Sequence, residues 1–185
     1  MEIEHKFIVE QFLIHYDPEE LKRWRKGNKL LVPERYLKFK GPGLSNGYGY
    51  GEFVAGRYLK DLGNEVIIND YGLIGTKSKY AYNNNRIESA LGKEKYERLR
   101  KAIKILLEQS IRIEQPDLCV ISPEIFFAEV KRDKDSLRKP QRRFAALVSV
   151  IFHIPFKVYK ILPAGTEFHA SPIEIIEAIP DECFL

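Results

Sequence analysis

Long apolar runs are missing from this sequence, as are cysteines or histidines spaced to bind a metal. No stretch of about 18 consecutive apolar residues occurs, so we expect no helical membrane span. The two cysteines, Cys119 and Cys183, are too few for a disulfide framework or a zinc cluster. The four histidines are scattered along the chain. These absences exclude helical membrane proteins, disulfide-stabilised domains and zinc proteins from the expected classes.

Composition and charge are those of a globular domain with a slight basic excess. The first ten residues, MEIEHKFIVE, lack the basic start and apolar stretch of a secretory signal, so we expect an intracellular, cytoplasmic protein. Of 185 residues, 44% are hydrophobic and 30% are charged, and the net charge is +4. Basic residues are concentrated at 22–26, at Lys38 and Lys40, and at 138–143. Such clusters are compatible with a polyanionic partner, or with solvated helical faces.

Residues 1–50 are expected to form an N-terminal extension outside the core. A short basic helix is predicted after Asp17-Pro18, because a capping acid precedes a proline in the first helical turn, and Gly27 would end it. A glycine-rich loop follows at 41–51. It lacks the lysine-serine ending of a phosphate-binding P-loop, so we interpret it as a hinge or substrate-gating loop.

The core is expected to span residues 51–163 and to alternate helices with strands. Hydrophobic periodicity and turn residues predict a helix at 52–62 and a strand at 65–69. A helical insertion follows at about 70–110, which is polar and turn-rich to 92 and then forms a helix at 93–109. The remaining elements are strands at 117–121 and 125–131, a helix at 137–152 and a strand at 156–162. This αβββαβ order predicts an α/β fold, with a central mixed β-sheet flanked by helices. Residues 164–185 are expected to be a tail with a short helix capped by Ser171-Pro172.

Two acidic residues are predicted to face each other on the adjacent strands at 117–121 and 125–131. A three-residue turn centred on Pro123 pairs Ile121 with Ile125 and, in the same register, Asp117 with Glu129. Two carboxylates at that spacing repel each other unless a cation lies between them, and Mg²⁺ prefers such oxygen ligands. Lys131 shares the strand face of Glu129 and could stabilise an oxyanion or orient a water molecule. The alternative is an exposed strand end with solvated ions, which the apolar residues before Glu129 disfavour.

Further polar residues could join this site from the flanking helices. Glu52 lies on the predicted buried helical face of Ala55 and Leu59, as a metal ligand or base. Alternatively, it is an acid favoured by the helix dipole. Gln141 begins the helix after Lys131 and could reach a water molecule or a phosphate. Phosphate contacts are predicted for the basic residues around it, Arg138, Lys139, Arg142 and Arg143.

The segment 116–131, PDLCVISPEIFFAEVK, resembles the signature of the PD-(D/E)XK nucleases. In that signature an acid follows a proline, and after about a dozen residues an acid-any-lysine motif closes an apolar strand. Pro116-Asp117 matches the first half, and residues 129–131 match the second. The continuation to Gln141 is similar to the virus-type replication-repair nuclease (VRR-NUC) branch, in which a glutamine-bearing helix follows the lysine. The resemblance covers about residues 51–162.

This resemblance implies a restriction-endonuclease-like core and a Mg²⁺-dependent deoxyribonuclease, with Mn²⁺ as a substitute. It implies metal binding by Asp117, Glu129 and the carbonyl of Val130, with Glu52 as the acid of the first helix. Duplex or branched DNA would be cut endonucleolytically in repair, recombination or restriction, and a homodimer would cut both strands. Two alternatives stay open: a non-catalytic nucleic-acid-binding module with a nuclease-like fold, and an interaction protein that uses the basic N-terminal helix.

Overall fold

The computed structural model describes residues 2–26, 49–75 and 78–184. The strands are β1 (Glu2–Tyr16), β2 (Glu65–Ile68), β3 (Leu118–Ser122), β4 (Phe126–Arg132), β5 (Phe156–Pro163) and β6 (Ile173–Pro180). The helices are α1 (Pro18–Arg25), α2 (Tyr50–Asp61), α3 (Ala81–Leu91), α4 (Lys93–Glu108) and α5 (Lys139–Ala146), which continues as a π-helical turn over Leu147–Ile151. Within these ranges, none of the helices is both long and apolar enough to cross a membrane.

All six strands form one mixed sheet in the order β2-β3-β4-β5-β1-β6. The three strands β4, β5 and β1 run parallel, while β2-β3, β3-β4 and β1-β6 are antiparallel. The predicted α/β class with a mixed sheet is therefore confirmed. The predicted register of β3 and β4 is confirmed as well, since Leu118 pairs with Ala128 and Val120 pairs with Phe126.

Helices cover both faces of the sheet, so alternate residues of a strand enter two different cores. Leu118 and Ala128 pack with the buried residues of α1 and α2 on one face. Cys119 and Phe127 pack with α3, α4 and α5 on the other face. Asp117, Glu129 and Lys131 follow the alternation of this second set, which places them on the α4–α5 face.

Most helices fall where the sequence predicts them. The side chain of Asp17 accepts a hydrogen bond from the N–H of Glu19 at the start of α1, as its capping role requires. The predicted end of that helix at Gly27, and the loop at 41–48, lie outside the described residues.

Helix α3 occupies a segment expected to be only polar and turn-rich. Its Asn83 and Asn84 side chains bind the backbone at Asp70 and Gly72, so these asparagines anchor the helix.

The expected boundaries of the core are wrong at both ends. The sequence predicts an N-terminal extension over residues 1–50, but strand β1 lies inside the sheet between β5 and β6. Residues 173–180 form the edge strand β6, and not the short helix predicted after Ser171-Pro172. Pairing with β1 explains the difference, because it buries the alternating residues Ile175, Glu177 and Ile179.

Candidate active site

The backbone around Asp117 is held in place on both sides. The Tyr71 hydroxyl donates to the carbonyl oxygen of Pro116 over 2.6 Å, and the N–H of Asn69 donates to the carbonyl of Asp117 over 2.8 Å. Asp117 directly precedes β3, and its Oδ2 accepts a hydrogen bond of 2.9 Å from the N–H of Val130. These bonds fix the carboxylate against β4 at the end of its pairing with β3.

Three side chains form a closed hydrogen-bonded ring next to Asp117. Glu129 Oε1 accepts from Lys131 Nζ over 2.9 Å and from Gln141 Nε2 over 2.5 Å. Lys131 Nζ also donates to Gln141 Oε1 over 2.8 Å. The exposed fractions are 3% for Glu129, 7% for Lys131 and 2% for Gln141, so the ring is almost wholly withdrawn from water.

The start of α5 determines the position of Gln141. This glutamine is the third residue of the helix, and its Oε1 also accepts from the N–H of Arg138 over 3.0 Å. That contact is half of a capping box, in which the third helical residue binds the backbone of the capping position. Pro140 lies in the first turn, as predicted. Local helix geometry thus delivers the amide to Glu129 and Lys131.

Negative charge is in excess at this site. Burial raises the pKa of Asp117 well above its usual range, and the charges of Glu129 and Glu52 raise it further. The hydrogen bond from the N–H of Val130 and the charge of Lys131 lower this pKa but do not cancel the rise. Burial also raises the pKa of Glu129, although the Lys131 ammonium opposes this shift. The ring and Asp117 together contain two carboxylates and one ammonium. With all three groups ionised, the site therefore carries a net charge of −1, one carboxylate more than ammonium.

One buried oxygen of the site lacks a hydrogen bond. Glu129 Oε2 finds no hydrogen-bond partner in the part of the chain that the structure describes. Leaving such an atom unpaired costs about 1–3 kcal/mol, and more when it is charged. A hard divalent cation would satisfy this oxygen and the opposed Asp117 carboxylate together, so the donor set fits Mg²⁺.

A metal at this position would draw only two carboxylates from the protein. Across residues 2–26, 49–75 and 78–184, no group of three or more histidine, cysteine, aspartate or glutamate side chains could hold an ion. Mg²⁺ commonly keeps several waters and binds through one or two carboxylates, so two such ligands are compatible with its chemistry. The predicted contribution of the Val130 carbonyl would add one backbone ligand.

Glu52 lies near these carboxylates, in the first turn of α2. The helix start approaches β4 closely, because a Cβ on Gly51 would lie 3.2 Å from Val130 Cγ1. Glu52 is half-buried, and its charge is one of the causes that raise the pKa of Asp117. It does not join a three-carboxylate group with Asp117 and Glu129. Its role as a ligand or base stays a prediction.

The four basic residues of the α5 region separate into two pairs. Arg138 and Lys139 are exposed at the start of the helix, and Arg138 forms an ion pair of 2.7 Å with Glu114. Arg142 and Arg143 each approach Glu177 of β6 to 3.6 Å, and this glutamate is buried. The second pair therefore joins α5 to the edge strand. Phosphate binding stays a prediction for all four.

Sequence reasoning missed Lys160, which pairs with Lys131 across β5 and β4. The residue is 5% exposed, and its Nζ donates to the carbonyl of Asp135 over 2.9 Å. Burial lowers the pKa of Lys160, against the charges of Asp135 and Asp133. In sequence this lysine belongs to an ordinary strand pattern, and only the parallel pairing brings it beside Lys131.

Comparisons with known protein families, with curated proteins and with solved structures find no match to this chain. What the cluster can do chemically follows from its own atoms. It offers a carboxylate pair to a hard cation, an ammonium beside that pair, and an amide that orients the ammonium.

Proposed function

We propose that this chain is a Mg²⁺-dependent deoxyribonuclease of the PD-(D/E)XK type, which hydrolyses DNA phosphodiester bonds. The observation that carries the proposal is the buried Oε2 of Glu129, which has no hydrogen-bond partner among the described residues, in a carboxylate whose charge acts on Asp117. Buried carboxylate oxygens are usually paired, so this oxygen has room for a ligand. A bound divalent cation would satisfy this oxygen and offset the excess of negative charge together.

The side chains divide the work between metal and substrate. Asp117 and Glu129 would hold Mg²⁺ or Mn²⁺, with the Val130 carbonyl and water as further ligands and Glu52 nearby. When bound, the metal activates a water molecule and polarises a phosphoryl oxygen. Gln141 fixes the Lys131 ammonium by accepting one of its hydrogen bonds.

Lys131 would stabilise the negative charge that develops on the oxygens of the phosphoryl group. An ammonium has three N–H donors, and two of those on Lys131 are used by Glu129 and Gln141. The third can donate to the attacking water or to a phosphate oxygen. A fixed donor in a site withdrawn from water stabilises such charge more than a solvated one does.

The substrate backbone would approach from the start of α5. Arg138 and Lys139 are exposed there, next to Gln141, and the free N–H groups of a helix start add partial positive charge. DNA, duplex or branched, is the proposed substrate because of the family resemblance. Endonucleolytic cutting in repair, recombination or restriction follows from the same resemblance, as does a homodimer that cuts both strands.

The second candidate is a nucleic-acid-binding module without catalysis. The observation in its favour is that Lys131, Glu129 and Gln141 already satisfy one another in a closed ring. A ring of this kind could be only a structural ion pair, since buried pairs persist when their geometry is good. Such a module would bind DNA but leave it intact.

Cleavage assays separate these functions. Purified protein would be incubated with supercoiled plasmid, single strands, flaps and four-way junctions, in Mg²⁺, Mn²⁺ or EDTA. We expect nicking only with metal, and a loss of about 10²–10³-fold in Lys131→Ala. Lys157→Ala is the matched control, because Lys157 contacts Phe12 and Phe126 on the opposite face of the sheet. Binding without cutting would support the module, and neither binding nor cutting would refute both functions.

A further inference from the structure

A row of paired residues crosses the sheet beside the ring of Glu129, Lys131 and Gln141. Lys131 of β4 pairs with Lys160 of β5, which in turn pairs with Leu13 of β1. Val158, two positions before Lys160, belongs to the core on the α4–α5 face, so strand alternation places Lys160 on that face too. Neighbouring strands are about 4.8 Å apart. Two lysines are therefore adjacent on the face that carries Glu129.

Lys160 has unused donors, and in the described part of the chain its ammonium forms no direct ion pair. One of its three N–H groups donates to the carbonyl of Asp135. Among the described residues no carboxylate oxygen lies within 4.0 Å of its ammonium. Burial of the ammonium is costly and the neighbouring Lys131 adds repulsion, while the charges of Asp135 and Asp133 act against both without a direct ion pair. An anion bound between the two lysines would remove both penalties.

A cavity of about 540 Å³ continues the row beyond Lys160. It lies between the end of β1, with Leu13 and His15, and the turn after β5, with Thr166, Phe168 and His169. The Phe168 ring centroid is 6.0 Å from Lys160 Nζ, which joins the cavity to the lysine pair. The volume is within the range of small-ligand sites. The lining offers an aromatic ring for stacking and polar groups for hydrogen bonds, although Glu167 also contributes an acid.

We propose that Lys160 binds a phosphate neighbouring the scissile one, and that the cavity beside it receives the adjoining nucleotide, stacked on Phe168. One strand of the nucleic acid then runs from Lys131 across Lys160 and into the cavity. This inference rests on the proposed nuclease function and names a substrate subsite for it. Base stacking on an aromatic side chain tolerates any sequence, so the cavity would hold a nucleotide without selecting one base.

Binding of a labelled single-stranded oligonucleotide tests the proposal, with Ca²⁺ in place of Mg²⁺ so that the strand stays intact. Lys160→Met is expected to weaken binding about tenfold and to reduce the slope of log K against log salt by about 0.7, the value for one single-strand phosphate contact. Lys157→Met, on the other sheet face, should bind as the wild type does. An unchanged Kd and salt slope in Lys160→Met would overturn the subsite.

A change in the ligand alone gives a test that does not depend on folding of the variant. Oligonucleotides would carry a single neutral methylphosphonate at successive positions around the cleavage site. At one position the substitution should weaken binding to the wild type but have no further effect on Lys160→Met. Phe168→Ala should weaken binding by about 1–3 kcal/mol, which is about 5- to 150-fold. Equal penalties in both proteins at every position would refute the subsite alone, whereas a wild type that neither binds nor cuts would refute the nuclease as well.

Discussion

Substitution of Asp117 by asparagine tests the charge imbalance of the site most directly. The variant keeps the size of the side chain and an oxygen that can accept from the N–H of Val130. It removes one of the two opposed carboxylates and a ligand of the proposed metal. We therefore expect Asp117→Asn to make the metal-free protein more stable while it abolishes cleavage. Such opposite changes are typical of sites where function and stability compete.

The size of the stabilisation can be worked from the geometry. Opposed residues of antiparallel strands have Cα atoms about 5 Å apart. Two unit charges at that distance repel by about 3 kcal/mol at an effective dielectric constant near 20. Asp117 is only half-buried, so water screens part of this repulsion. Replacing the charge-assisted bond from Val130 by a neutral one costs about 1 kcal/mol. The expected net gain is about 1–2 kcal/mol, or about 2–8 °C in Tm for a chain of this length.

Thermal unfolding followed by circular dichroism gives two quantities: the Tm of the metal-free protein in EDTA, and the rise in Tm that Mg²⁺ causes. Mg²⁺ at about 100 times its Kd should stabilise the wild type by about 2.7 kcal/mol and the variant much less. Asp61→Asn, at the exposed end of α2, is the matched control and should change neither quantity. A lower Tm for Asp117→Asn in EDTA, with equal Mg²⁺ stabilisation of both proteins, would refute the reasoning.

Three further outcomes are expected. Gln141→Leu should reduce the cleavage rate constant in a single-turnover assay and lower Tm, because buried donors and acceptors of the ring lose their amide partner. Tyr71→Phe removes the hydrogen bond to the Pro116 carbonyl, so it should lower the free energy of unfolding by about 1 kcal/mol and Tm by about 2–4 °C, and it should slow cleavage. Unchanged values in either variant would contradict these roles. Burial raises the pKa of both Asp117 and Glu129 in the folded, metal-free protein. Their protonation therefore stabilises the fold, and this stabilisation is complete below about pH 4, the pKa range of unfolded carboxyl groups. It is lost as pH rises through the raised pKa values. The Tm advantage of Asp117→Asn in EDTA should thus shrink as pH falls, and calorimetric Mg²⁺ affinity should rise with pH; the opposite trends would refute the assignment.

The centre of the candidate site could be predicted because its parts are close in sequence. Asp117, Glu129, Lys131 and Gln141 all belong to one short stretch of chain. A tight turn fixed the register of β3 on β4, and helix capping fixed the start of α5. Turn geometry and capping depend on a few neighbouring residues, so both can be inferred without knowledge of the rest of the fold.

Features that depend on distant pairing were not predictable in the same way. Strand β1 has charged residues along its exposed half, and its place in the sheet depends on parallel pairing with β5, more than 140 residues away in the sequence. Strand β6 depends on β1 in turn. Lys160 reaches the site only through the pairing of β5 with β4. Parallel strands are joined by long crossovers, so no local turn determines their register.

The structural and catalytic explanations of the ring predict opposite signs for the change in stability of the metal-free protein when Asp117 loses its charge. If Lys131 and Gln141 were present only to satisfy Glu129, the charges would balance and loss of any member would destabilise the fold. Glu52 and Asp117 break that balance, because their charges add two carboxylates to a ring that contains one ammonium. An excess of this kind lowers the stability of the metal-free protein, and a bound cation would offset it. A stabilising Asp117→Asn that no longer responds to Mg²⁺ would therefore favour a binding site over a structural ion pair.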